Sequence, residues 1–146
     1  MWEFHGGELF GGTFGVGYAG FLLSTALILK FFAGPMIAAA GVANFDHAFA
    51  AWLILWALFT AVFAIAATSI SWTAVAAFTL AFIVLVVLAI SNLGGTASWA
   101  TDVAKVGGWF ALLDGFAAGY LGAAIVLNVT TGKTMLPLFH TKFGKH

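Results

Sequence analysis

Apolar positions in this chain run on for whole segments with almost no polar interruption. A hydrocarbon layer about 30 Å thick is crossed by roughly 20 apolar residues in a helix. Four segments meet that length: residues 13–32, 47–70, 72–93 and 106–127. The first ends around Lys30 and the pair Gly34–Pro35, which is expected to break it. The second carries no charge after His47, and the third closes on "SNLGG". The fourth is "VGGWFALLDGFAAGYLGAAIVLN", with one acid in its middle. The pattern predicts an all-α, polytopic helical membrane protein of four spans, forming one domain over residues 1–146.

The connections refine this picture. "AGPMIAAAGVANFD", between the first two spans, is too apolar for an ordinary loop and too short to span, so it is expected at the membrane interface or dipping back into the bundle. The link "TSISW" between the second and third is so short that those helices must be antiparallel neighbours. Trp52, Trp72, Trp99 and Trp109 fall near span ends, where indoles favour the headgroup level, while Trp56 reads as packing inside the bilayer. Small residues recur every four positions at Gly11, Gly15 and Ala19, and again at Gly107, Ala111, Gly115, Gly119 and Ala123. Such stripes let helices approach closely in lipid and are expected to be packing contacts rather than pore linings.

Composition confirms the solvent. The chain is 63% hydrophobic and 7% charged, whereas soluble domains are about 25% charged. It contains no cysteine and no arginine, which removes disulfides, thiolate metal sites and the usual phosphate clamp, and no nucleic-acid partner is expected. The start, "MWEFHGGELF", lacks the basic residues of a signal peptide. Lys133, Lys142 and Lys145 follow the last span, while Lys30 and Lys105 on the opposite side each share a connection with an aspartate, Asp46 and Asp102. Positive charge is retained on the cytoplasmic side, so both termini are expected there.

The side chains that carry enzyme chemistry are missing from the spans. His5, His47, His140 and His146 all fall at span ends or in tails, leaving no base for a nucleophile and no mid-span pair for haem. Lys30 and Lys105 are too close to span ends for a buried Schiff base. "FGGTFGVGYAG" is rich in glycine but lacks the Lys-Ser/Thr close of a phosphate loop. No enzyme activity, cofactor or metal is expected. The membrane interior holds Asp114, Tyr18, Tyr120 and scattered Ser, Thr and Asn, an inventory suited to a small-solute route.

Three stretches together carry a resemblance. "MWEFHGGELFGGTFGVGYAGFLLS", "LAISNLGG", and "GGWFALLDGFAAGYLGAAIVLN" followed by "TTGKTMLPL" occur in the order and spacing of one family. The chain resembles the acetate uptake transporter family, which includes the bacterial succinate–acetate permease. Members have six helices, and this chain supplies counterparts of the last four. The family's N-terminal Asn-Pro-Ala-Pro-Leu-Gly stretch has no counterpart. The expectation is therefore either a partial version of such a protomer, inactive by itself, or a natural four-helix relative.

The resemblance implies a homo-oligomer, hexameric in the family, in the cell (plasma or inner) membrane. Each protomer would carry acetate, succinate or related small carboxylates by proton symport or as a channel. Tyr18 would help form an apolar constriction, faced by Ala81 or its neighbour Leu80, and Ala118 would influence solute size. Tyr120 and Asn92 stand as candidate polar contacts or as helix–helix hydrogen-bonding partners. The competing reading is a non-transporting accessory or assembly subunit that packs through its glycine stripes.

Asp114 departs from the family, which has a small or apolar residue there. An ionised aspartate at mid-span costs about 2.5–3.5 kcal/mol on insertion scales. The residue lies within about 100° of the small stripe on the fourth span, so it is expected to face protein. It is either a structural hydrogen-bonding group or a proton-exchanging group beside the route.

Overall fold

The computed structural model describes residues 9–139, and every element among them is helical. The chain divides between Phe45 and Asp46 into two compact units. The first contains α1 (Leu9–Leu27), a π-helical turn (Ile28–Phe32) and α2 (Ala33–Ala40). These follow one another without a loop, so Gly34–Pro35 does not end the helix as the sequence suggested. Proline lacks an N–H and crowds the carbonyl four residues back. Pro35 falls in the first turn of α2, where that N–H would have had no partner within α2. The preceding turn is widened, with the Ala33 N–H donating to the Ile28 carbonyl, five residues earlier.

The stretch 33–46 is therefore no loop at all. It is helix interrupted at one residue, Gly41, whose φ of 86° is open to glycine and strained for other residues. The Asn44 side chain covers the end of α2, its Nδ2 donating to the Ala40 carbonyl at 2.7 Å. The next helix, α3 (Val42–Ala67), starts immediately after the break.

The second unit holds most of α3 together with α4 (Trp72–Leu93), α5 (Ser98–Thr131) and the segment after α5. Ser71 is buried and caps α4, its Oγ accepting from the Ala74 N–H at 3.1 Å. At the other end Gly94 turns against α5, and a Cβ there would lie 2.5 Å from the Trp99 ring. Only glycine fits that corner.

The buried positions of α3 include Ala50, Leu53, Ala57, Thr60, Phe63 and Ala67, and those of α4 include Ala74, Ala77, Ala81, Leu85 and Ala89. Steps of three and four put each set on one helix face. Phe63 meets Phe78 with ring centroids 5.8 Å apart, joining α3 to α4. On α5 the inward seam is Ala100, Gly107 and Ala124, with half-buried Phe110, Asp114, Ala117, Leu121 and Asn128 between and beyond them. The Ser91 hydroxyl donates to the Ala100 carbonyl at 3.0 Å, fixing the antiparallel register of α4 and α5.

The seam departs from the small stripe in the sequence. Steps of four turn about 40° away from a line along the helix with each repeat, whereas alternating threes and fours keep to one side. Gly107 packs closely, since a Cβ there would come 2.9 Å from Leu88 Cδ2, but Gly115 and Gly119 face open space. The stripe is thus a packing contact within the chain only at Gly107 among these glycines.

Among the described residues, four helical stretches are long and apolar enough to cross a membrane: Phe10–Ala40, Val42–Ala67, Trp72–Leu93 and Ser98–Thr131. The first and last are longer than the apolar runs alone indicated. The exposed Asp102–Lys105 pair, 2.9 Å apart, lies in the additional N-terminal part of α5.

Candidate functional site

Depth along the α4–α5 hairpin follows from its register. Gly107 lies against Leu88. Seven residues onward along α5 is Asp114, and seven residues back along α4 is Ala81. Each step is about 10.5 Å and nearly two whole turns. Asp114 and Ala81 therefore share one depth, and Asp114 points to the same side of α5 as Gly107, towards α4. Ala81 is buried and Leu80 half-buried. The Asp114 Oδ1 is screened from solvent and has no hydrogen-bond partner among the described residues.

Of the other sequence candidates, Ala118 is one turn beyond Asp114 and is exposed. Tyr18 belongs to the first unit, half-buried between two rings of its own helix, with Phe14 at 4.6 Å and Phe21 at 6.0 Å between centroids. Neither Asn92 nor Tyr120 bridges two spanning helices in the bonds they make. Asn92 Nδ2 donates to the Leu88 carbonyl of its own helix at 2.7 Å. Tyr120 Oη donates to the Pro137 carbonyl at 2.8 Å.

That last bond belongs to a feature the sequence reading missed. Gly132, with φ 63°, ends α5 in the left-handed conformation and reverses the chain. The following residues return along the helix. Asn128 Oδ1 accepts from the N–H groups of Met135 at 2.7 Å and Leu136 at 3.0 Å, and its Nδ2 donates to the Leu136 carbonyl at 2.8 Å. Further on, Thr73 Oγ1 donates to the Leu138 carbonyl and the Trp72 N–H to the Phe139 carbonyl, at 2.9 and 3.0 Å. A clasp of non-helical chain thus ties the end of α5 to the start of α4. The available signal was a helix-stopping glycine four residues after an asparagine, followed by Pro137.

A separate cleft of about 200 Å³ lies between α3 and α4, lined by Ile54, Ala57, Leu58, Phe82, Val86 and Leu93 among others. Its lining is wholly apolar and offers no group to orient a polar solute. Among the described residues no cluster of His, Asp or Glu could hold a metal ion.

The fold and this inventory define an integral membrane protein, with four helices among the described residues long and apolar enough to span. The chain belongs to the GPR1/FUN34/yaaH family, whose model matches residues 1–142. Its structure is similar to that of the bacterial acetate channel SatP, with a TM-score of 0.75 and 27% sequence identity over 93% of this chain and 71% of that one. No curated protein is matched in sequence. The family resemblance carried by the three stretches is thereby established.

Proposed function

We propose that this protein passes acetate and similar small carboxylates across a membrane, as a transporter or channel. The observation that carries the reading is the likeness to an acetate channel across nearly the whole chain, beside the family match. The physical setting supports it. A carboxylate is costly to strip of water, so a narrow apolar ring can control its passage while a tyrosine hydroxyl offers a hydrogen bond.

By family resemblance, Tyr18 in the first unit, and Leu80, Ala81 and Ala118 in the second, are each proposed as residues of the solute route. A homo-oligomer, hexameric in the family, is part of the same proposal. The outward-open Gly115 and Gly119 provide a surface on which another helix could approach closely. The proposed location is the cell membrane with both termini cytoplasmic, supported by the lysines after α5.

The test is uptake of labelled acetate by liposomes containing the purified chain. Protein-dependent uptake that is reduced by excess unlabelled propionate is the expected result. Uptake no faster than in protein-free liposomes would sink the reading.

A further inference from the structure

The transport reading leaves Asp114 without a task, and its surroundings are specific. It lies on the face of α5 that packs against α4, at the depth of Ala81 and one turn from Ala118. Its Oδ1 is shielded from solvent and accepts no hydrogen bond from any described residue. The helix it faces, α4, contains no ionisable side chain along its whole length. On α5 the nearest cation is Lys105, nine residues away and paired with Asp102. That separation is about 13.5 Å along the axis. The nearest ionisable group in the other direction is Tyr120, whose hydroxyl is bonded to Pro137. On α3, which packs on the opposite side of α4, the ionisable groups of the second unit are Asp46 and His47, at the helix start. The antiparallel pairing with α4 puts them near Leu93, far from this depth.

A structural aspartate in such a place would be expected to hold a donor, and none is present among the described residues. We propose that Asp114 is a proton-exchanging group beside the solute route, and that its charge state governs the passage of carboxylates. This rests on the transport reading above. As a carboxylate, Asp114 repels an anion at its own depth. Once protonated it loses that charge and gains an O–H that can donate to the solute. In the exchange, the Asp114 O–H bond breaks, its proton passes to water or to the solute carboxylate, and the aspartate carboxylate is restored. Passage should therefore increase as pH falls.

The experiment uses the full chain in liposomes, with labelled acetate uptake measured between mildly acidic and mildly alkaline pH. Uptake by protein-free liposomes is subtracted at each pH to remove direct permeation of acetic acid. The parent is expected to gain rate on acidification, by up to about tenfold per pH unit for one linked proton. Asp114→Asn, which keeps the shape and hydrogen-bonding capacity but cannot ionise, is expected to lose most of that dependence. Asp114→Glu is expected to restore it with a displaced midpoint. An Asn variant with the parent's pH profile would overturn the proposal while leaving transport intact. Absence of acetate uptake by the parent at every pH would instead count against the transport reading. In that case, or if the Asn variant does not fold, infrared difference spectra of the parent decide the matter. A carboxylic-acid band that comes and goes with pH, and is altered by Asp114→Glu, supports exchange. No such band overturns it.

Discussion

Asn128 holds Leu136 from both sides of its peptide, accepting from the N–H at 3.0 Å and donating to the carbonyl at 2.8 Å. One amide side chain thereby acts as a neighbouring strand would, pairing with backbone that has left its helix. A third bond, from the Met135 N–H, completes the grip. Backbone polar groups near a membrane must find partners within the protein, and Asn128 supplies them at the turn.

Replacing Asn128 with alanine removes these bonds together. The expected loss is about 1–3 kcal/mol, seen as a melting temperature lowered by several degrees in detergent. Asn128→Asp keeps the acceptor but loses the donor and is expected to fall between. An alanine variant that melts like the parent would mean the clasp adds no stability.

Gly107 and Gly115 should respond in opposite ways to the same change. A Cβ at Gly107 would lie 2.9 Å from Leu88 and 3.2 Å from Val87, whereas one at Gly115 meets nothing within 4 Å. Gly107→Val is expected to force α4 and α5 apart, at about 1–3 kcal/mol for overpacking. Gly115→Ala is expected to leave the isolated chain's stability unchanged or slightly higher, given alanine's better helix propensity. Thermal melting of the two variants, with size-exclusion chromatography, separates these effects. If Gly115→Ala changes only the oligomeric state, its open face is a contact between copies.

Ala81 carries a steric prediction. Leucine there is expected to slow propionate and butyrate more than acetate, because added bulk at a constriction discriminates by size. Ala81 is also 8% exposed, so the same change should cost about 1–3 kcal/mol in packing. Relative uptake of the three acids, measured alongside melting, distinguishes the two consequences. Equal slowing of all three would assign position 81 to packing alone.

The absence of native cysteine makes orientation directly measurable. Thr96 lies in the α4–α5 turn and Lys133 follows α5, and both are exposed. A 34-residue helix separates them, about 50 Å in length against a hydrocarbon core of about 30 Å. Thr96→Cys is expected to react with an impermeant maleimide from outside intact cells, and Lys133→Cys only after the cells are opened. The reverse pattern would invert the proposed topology.

Spanning helices were legible because lipid imposes one simple demand, an apolar run of sufficient length; 72–93 coincides with α4, while 47–70 is displaced from Val42–Ala67 by five residues at its start and three at its end. Helix ends were less so. Pro35 reads as a breaker until the widened turn before it is seen, and hydropathy ignores the polar first turns of α5 around Asp102 and Lys105. The inward placement of Asp114 was legible from helical angle. Its shared depth with Ala81 needed the register set by Ser91 and Gly107. The clasp was illegible because Asn128 gains its partners through a chain reversal, and residue spacing alone does not announce one.

The clasp also implies an order of assembly. Residues 133–139 follow α5 in the chain, so a ribosome makes them after every described helix. Thr73, by contrast, is at the beginning of α4 and has been waiting since that helix was made. The bond between Thr73 and Leu138 joins positions 65 residues apart, and it can form only when synthesis has passed both. The α4–α5 hairpin is therefore fastened late in its biogenesis, by a segment that belongs to none of the helices.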